Sequence, residues 1–452
     1  MLQGDIAVGR NRNALTCRGK SCLWSKAANG WVQVPYTLSN SYAPEDKTLI
    51  QAAMEEVAVL TCVRFIPRQK EPSYLRIQPN DGCWSYVGRL GGAQDLSLTI
   101  PACLHWGVIQ HELLHSLGFQ HEQCRSDRDK YIRINWGNIS QDKERNFYKM
   151  STQNLGVPYD YLSVLHYGKF AFASDTGKPT LEPTGDPHAM IGQRVGLSSL
   201  DVAKIKKLYE CNICSHLLPD AYGKFSWESK KNPNLTACVW LIRVPEDKVF
   251  LQFESFSIQP SPDCAQASVT AYDGIGTEAA ILIRKSCGNI APLAQISSGR
   301  FLKIQFTGSG TGSSFKATYS SIKCGGFLIN STGNFSTPHF PAKYPISVNC
   351  VWVLSAPVGN QVSLHVAPFS LEPSPGCSYD YFLLRDGRRQ TKKCGQLPKL
   401  DFMSSTHSLM VHFHSDSSVQ ANGFLATYSF SSSSPRPKNQ RPLSAAKSEN
   451  QL

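Results

Sequence analysis

Residues 111–121 read His-Glu-Leu-Leu-His-Ser-Leu-Gly-Phe-Gln-His. On a helix His111 and His115 are four residues apart, so both imidazoles leave one face and can share a divalent ion, with Glu112 beside them. Gly118 lets the chain turn out of the helix, and His121 can then return as a third donor. Three neutral nitrogens with one open position are the pattern of a catalytic zinc site rather than a structural one. Zinc lowers the pKa of a coordinated water to roughly 7, and Glu112 can take that proton as general base and pass it to the leaving amine of a cleaved peptide. The alternative is an amphipathic helix whose histidines merely pack or face solvent. It accounts for residues 111–115 but not for Gly118 and His121 in register behind them.

Outward from this motif the chain falls into blocks. Up to about Cys211, Ile50, Ala53, Val57 and Leu60 mark one apolar helical face, and Ser198 with Asp201 resembles a capping box before Val202, Ile205 and Leu208, which reads as mixed α and β. From Cys214 to about Ile322, and from Cys324 to about Phe430, short alternating runs such as Val249 to Phe253, Phe301 to Phe306 and Leu409 to Phe413 lie between Gly, Ser and Pro turns, which predicts two β-sandwiches. The two are an internal duplication: Cys238-Val-Trp240 matches Cys350-Val-Trp352, Cys287-Gly288 matches Cys394-Gly395, and Phe315-Lys-Ala-Thr-Tyr319 matches Phe424-Leu-Ala-Thr-Tyr428. Residues 431–452, opening on a serine run, hold too little apolar surface to fold and read as a disordered tail.

Composition sets the class. The chain has 452 residues, 41% hydrophobic and 18% charged, which suits several globular domains and excludes a disordered or collagen-like chain. Lys plus Arg exceeds Asp plus Glu by 46 − 34 = 12, but the basic residues are scattered, part of the excess sits in the tail at Arg436, Lys438, Arg441 and Lys447, and no nucleic-acid motif accompanies them. No nucleic-acid partner is expected. Fifteen cysteines and four sequons, at Asn138, Asn234, Asn330 and Asn334, point to a secreted glycoprotein in an oxidising, extracellular setting. Residues Met1 to Arg12 lack the apolar region of a signal peptide, so the chain is expected to be truncated or to begin inside a longer precursor. Leu96 to Gln110 is too short and too broken to cross a bilayer, and no transmembrane segment is expected.

The zinc motif, Thr61-Cys62-Val63-Arg64-Phe65, Gly82-Cys83-Trp84-Ser85-Tyr86-Val87-Gly88-Arg89, and Glu122 with Arg125, Asp127, Arg128 and Asp129 together resemble the astacin family of zinc endopeptidases over most of residues 13–211. The β blocks resemble CUB domains. The resemblance implies a multidomain protein: a prosegment remnant (1–12), an α+β two-lobed metzincin protease domain (13–211), two all-β CUB sandwiches (214–322 and 324–430) and the tail. Substrate would lie against an edge strand in the Gly88 to Thr99 stretch. Ser163-Val164-Leu165-His166-Tyr167 resembles the family's Met-turn with Leu165 in place of Met, a change that roughly conserves volume. Tyr167 matches the tyrosine that ligates the resting metal and swings away to stabilise the tetrahedral intermediate. Gly4-Asp5 resembles the end of the prosegment motif, whose aspartate binds the metal in the latent form only. Arg10-Asn11-Arg12 is similar to a site for a trypsin-like activating protease, leaving Asn13 as the new terminus near Glu122.

The resemblance also implies disulfides Cys62–Cys211 and Cys83–Cys103, an extra pair Cys17–Cys22 of the hatching-enzyme type, and Cys214–Cys238, Cys264–Cys287, Cys324–Cys350 and Cys377–Cys394 of the CUB type. Cys124 is left over, open to being a buried thiol, an intermolecular link or a redox handle. In the second CUB copy Glu372, Asp380 and Asp416 match acidic calcium ligands of that family. The aligned residues of the first copy, Gln259, Ala267 and Ser309, do not. An astacin domain followed by two CUB copies most resembles vertebrate hatching enzymes of the amphibian type, which act on egg-envelope glycoproteins. The alternative is a weak or inactive extracellular adhesion scaffold that works through its CUB domains.

Overall fold

The computed structural model describes residues 1–8, 21–245, 247–276, 278–308 and 312–432. Arg10 to Asn13, Cys17, Ser309 and residues 433–452 lie outside the described residues. The chain forms two compact units, Met1–Ser321 and the part beginning at Ile322.

The first unit opens on a five-stranded sheet with β1 (Val32–Leu38), β2 (Val63–Pro67), β3 (Tyr74–Gln78), β4 (Cys83–Ser85) and β5 (Ala93–Leu98) in the order β2-β1-β3-β5-β4. All pairs are parallel except β4 with β5, where Cys83 faces Leu98 and Ser85 faces Leu96. Helix α1 (Pro44–Leu60) starts well because Pro44 occupies its first turn and the Asp46 carboxylate accepts the Ala43 N–H at 3.0 Å. Its buried face, Ile50, Ala53, Met54, Val57 and Leu60, joins Val34, Val63, Leu75, Ile77 and Leu96 in the main core. Helix α2 (Trp106–Ser116) is buried from Ile109 to Ser116 and sends Leu113 and Leu114 into the same core. A second, smaller core of Ile132, Ile139, Phe147, Tyr159, Tyr167 and Leu181 lies under the two-stranded sheet of β6 (Ile132–Ile134) and β7 (Leu181–Pro183). Helix α3 (Ser199–Leu208) begins with the capping box read from the sequence, Ser198 Oγ accepting the Asp201 N–H at 2.8 Å. Cys62–Cys211 and Cys83–Cys103 are both formed.

One expectation is corrected here. The Gly88 to Thr99 stretch carries β5, which is not an edge strand, because the short strand β4 pairs along its outer side. The free edge belongs to residues 83–85. The resemblance implies an edge strand, and which segment takes the outer place is set by the pairing of residues 83–85 with 96–98.

The two sandwiches repeat one another. The first has a five-stranded sheet, in spatial order Ala280–Ser286, Ala267–Asp273, Phe301–Gly308, Ala237–Arg243 and Ser215–Leu218, facing a four-stranded one over a core containing Trp240, Phe306 and Phe315. The second has two facing sheets over Trp352, Phe413 and Phe424. Its last strand, Gly423–Ser432, carries Ser431 and Ser432 in register with Gln361 and Asn360, so these two residues belong to the fold and not to a tail. The four cysteine pairs expected in the sandwiches are all formed. The first sandwich is not a separate body: Leu217, Leu241 and Ile275 sit in the same hydrophobic cluster as α1 and α2.

Candidate metal and catalytic site

Helix α2 presents His111 and His115 from one face, and Gly118, at φ +106°, ends it in a conformation that L side chains rarely adopt. The chain then returns His121 to the same point. The Nε2 atom of His111 lies 3.1 Å from that of His115 and 3.2 Å from that of His121. Each Nδ1 faces an oxygen: His111 that of Val164 at 2.7 Å, His115 that of Phe119 at 2.8 Å, His121 the Gln3 side chain at 2.8 Å. Carbonyl oxygens only accept, so Nδ1 carries the proton in each ring and three Nε2 lone pairs converge. Burial pushes His115 and His121 toward the neutral form, and neighbouring imidazoles add to the effect at His115. Three buried lone pairs this close repel unless a cation lies among them. The donor set therefore fits a divalent metal held by neutral nitrogens, with the outer Nδ1–H groups fixed by carbonyl partners.

A carboxylate completes the cluster. Asp5 Oδ2 stands 3.0 Å from His111 Nε2 and 3.1 Å from His121 Nε2, and Oδ1 is 3.7 Å from His115 Nε2. Its segment lies on the edge strand found above: the Ser85 N–H donates to Asp5 O at 3.1 Å and the Ala7 N–H to Ser85 O at 2.9 Å. Gln3, beside Asp5, also receives the Tyr167 hydroxyl on its carbonyl oxygen.

Glu112 is buried next to the cluster, and its Oε2 has no hydrogen-bond partner among the described residues. Burial, then the charge of Asp5, pushes its carboxyl well above the ordinary range. Tyr167 packs on His121 at 4.7 Å between ring centres, and burial and Asp5 raise its hydroxyl pKa. The turn that carries Tyr167 is fixed by Asp201, which accepts Ser163 Oγ at 2.6 Å and the Val164 N–H at 2.9 Å. Leu165 is 3% exposed and belongs to the main core.

Residues 23–210 match the Astacin peptidase-family model, and residues 214–319 and 324–428 each match the CUB domain. Embryonic protein UVS.2 of Xenopus laevis is 43% identical over 440 residues, covering 95% of this chain and 84% of the relative. The chain belongs to the astacin family of zinc metalloendopeptidases. Astacin-like metalloendopeptidase of Gallus gallus is 43% identical over 328 residues, 71% of this chain and 79% of the relative. High choriolytic enzyme 1 of Oryzias latipes is 46% identical over 211 residues, 47% of this chain and 78% of the relative. The solved structure of that enzyme, described as a hatching enzyme zinc-protease, aligns at 46% identity over 44% of this chain and 100% of its own, with a TM-score of 0.43.

In this astacin several residues at the site escaped the sequence reading. Gln3, next to the Gly4-Asp5 pair, and the Val164 carbonyl, inside the turn segment 163–167, were not singled out as partners of the histidine rings. Arg194 is another: it donates to the carbonyls of His166 at 3.0 Å and Gln193 at 2.9 Å, and its guanidinium feels the charges of Asp5 and Glu112. Glu122, expected beside a new amino terminus, already carries Lys204 Nζ at 2.6 Å and Arg125 Nη1 at 3.1 Å. Cys124 is a buried free thiol facing Asn146 O at 3.5 Å, and burial pushes its pKa up to about 12.

In the second CUB domain Glu372, Asp380 and Asp416 bring carboxylate oxygens within 4.8 Å of one another. Asp380 is held by the Tyr344 hydroxyl at 2.5 Å and the Asp416 N–H at 2.7 Å. Glu372 Oε2 is buried without a partner among the described residues, and burial with the two neighbouring carboxylates raises its pKa. Hard oxygen donors with one orphaned buried oxygen fit a calcium ion. Among the described residues the first copy has no such cluster. No helix of the described residues is long and apolar enough to cross a membrane.

Proposed function

We propose that this astacin is a secreted zymogen held latent by Asp5, and that once its leading residues are removed it hydrolyses peptide bonds in extracellular proteins, egg-envelope glycoproteins above all. The observation that carries the reading is the meeting of three deprotonated Nε2 atoms beside Glu112, with an aspartate from outside the helix closing the fourth side. His111, His115 and His121 would hold the zinc. When bound, zinc supplies Lewis acidity toward a substrate carbonyl and a nucleophile at neutral pH. Glu112 takes a proton from the attacking water and delivers it to the leaving amine. The Tyr167 hydroxyl, freed from the Gln3 carbonyl, donates to the negative charge that develops on the carbonyl oxygen. Cleavage at Arg10-Asn11-Arg12 by a trypsin-like protease, leaving Asn13 first, would release Asp5 and Gln3 together. The edge at Ser85, now covered by Asp5 to Ala7, would then take the substrate backbone.

Support for the envelope substrate comes from a choriolytic relative and from an embryonic relative that spans both CUB domains. The test is cleavage of an egg-envelope preparation and of a denatured protein by the chain starting at Asn13, beside Glu112→Ala and a chelated sample. Cleavage of denatured protein with an untouched envelope would keep the protease and remove the hatching role. A Met1 chain as active as the Asn13 chain would remove latency. The scaffold alternative is set aside, since Glu112 is in place and Leu165 is buried in the main core. For the second CUB domain we read calcium between Glu372, Asp380 and Asp416.

A further inference from the structure

Helix α1 buries a glutamate in an apolar core. The Glu56 side chain is 0% exposed, and its charge is met from the first CUB domain by Arg243, whose Nη1 pairs with Glu56 Oε1 in a contact 4% exposed on the arginine side. The other oxygen, Oε2, accepts Trp106 Nε1 at 2.7 Å and Gln110 Nε2 at 2.8 Å, both on α2. Gln110 Oε1 accepts the Leu197 N–H at 2.8 Å, and Arg243 Nη2 donates to the Leu197 carbonyl at 2.6 Å. Arg243 thus joins α1, the helix that carries the metal-binding histidines and the segment three residues after Arg194. Gly196 leaves room for it: a Cβ there would lie 2.5 Å from Arg243 Nη1. Around this polar knot Phe301 packs on Trp106 at 4.9 Å, and Leu241, Leu217 and Ile275 complete the protease core.

We infer that the first CUB domain is a working part of the protease, with Arg243 a positioning residue that braces the metal-binding helix through Glu56 and the 194–197 segment through Leu197. A tethered substrate-capturing module would need only a linker and a rim of surface contacts. Here the contact is buried, charged and continuous with the core. Gln110 immediately precedes His111, so a shift at the knot is a shift at the first ligand, and small misplacements at a reacting centre are expensive in rate.

The consequence for rate rests on the protease reading; hydrogen exchange is measured as well because it does not. Arg243→Lys in the full activated chain keeps the charge against Glu56 but cannot also span to the Leu197 carbonyl. Arg243→Met with Glu56→Met removes the pair together and leaves no unpaired buried charge. We expect both to remain folded, with kcat lower by roughly ten- to a hundredfold and KM little changed. Amides of residues 106–117 and 193–198 exchange faster in both, with or without zinc. Parent-like exchange and kcat in either folded variant would overturn the inference, since Arg243 would then only neutralise Glu56. Faster exchange in both variants of a parent that itself cleaves nothing would retain the brace and remove the protease reading instead.

Discussion

Gln3 Oε1 lies 2.8 Å from His121 Nδ1, so a side chain of the leading segment sets the tautomer of a ring in the histidine cluster it covers. The same residue takes the Tyr167 hydroxyl on its carbonyl, and two residues later Asp5 enters the cluster. Latency on this reading has three contacts rather than one. Gln3→Ala deletes only the contact to His121, a neutral hydrogen bond of about 1 kcal/mol, so peptide hydrolysis by the uncleaved chain should rise roughly fivefold. Asp5→Ala should raise it much further. Equal basal rates in parent and Gln3→Ala would leave Asp5 as the whole of the latch.

Glu112→Gln conserves shape and removes the base. Proton transfer by a positioned carboxylate contributes roughly 10²- to 10⁴-fold, so kcat of the activated chain should drop by that factor while zinc content, measured by metal analysis, stays near one per chain. Loss of zinc along with activity would mean that Glu112 holds the site together rather than acting as base.

How much of this could be read from residues alone depended on distance along the chain. His111, His115, Gly118 and His121 declare themselves because a helix and one turn fix their geometry within eleven residues. Ser198 and Asp201 are legible for the same reason. The edge strand was misplaced because the resemblance implies an edge without its register, and the pairing of residues 83–85 with 96–98 is a choice of partner made only in the fold. Arg243 and Glu56, 187 residues apart, look like ordinary surface charges until the fold buries them together. Gln3 is legible only once its neighbour Asp5 is seen in the site.

Lys204 and Glu122 form a buried pair at 2.6 Å, 9% and 5% exposed. Breaking such a pair from one side leaves an uncompensated charge, although Arg125 still reaches Glu122. Lys204→Met should destabilise the first unit by about 3 kcal/mol, the low end for such pairs, read from urea unfolding followed by tryptophan fluorescence. A change below about 0.5 kcal/mol would show that Arg125 alone satisfies Glu122.

Calcium should be visible as stability. If Glu372, Asp380 and Asp416 hold the ion, a free concentration a hundredfold above Kd adds about 2.7 kcal/mol to the second sandwich, and extracellular modules bind at roughly 10⁻⁴–10⁻³ M. Calorimetry of the full chain in chelator and in excess calcium should show the corresponding transition move upward. Asp380→Asn should abolish that movement. An unmoved transition in the parent would remove the calcium reading.

Acid should act on the same sandwich through His412. It lies on the strand Ser408–Ser415, its Nε2 3.3 Å from Asn349 Oδ1 and its ring against Tyr381. Burial, and then the neighbouring His414, Arg385 and Lys392, press its pKa to about 4 from the ordinary 6.5. A histidine depressed in the folded state takes up its proton first in the unfolded chain. Its contribution is therefore fully present above about pH 6.5 and drains away as pH falls toward about 4, a loss on the order of 3 kcal/mol. His412→Gln cannot titrate, so the stability of its second sandwich should fall less steeply than the parent's across that window. If denaturant midpoints of the two proteins track each other from pH 7 to pH 4, the imidazole is not buried neutral and the acid sensitivity belongs to the carboxylates around Asp380.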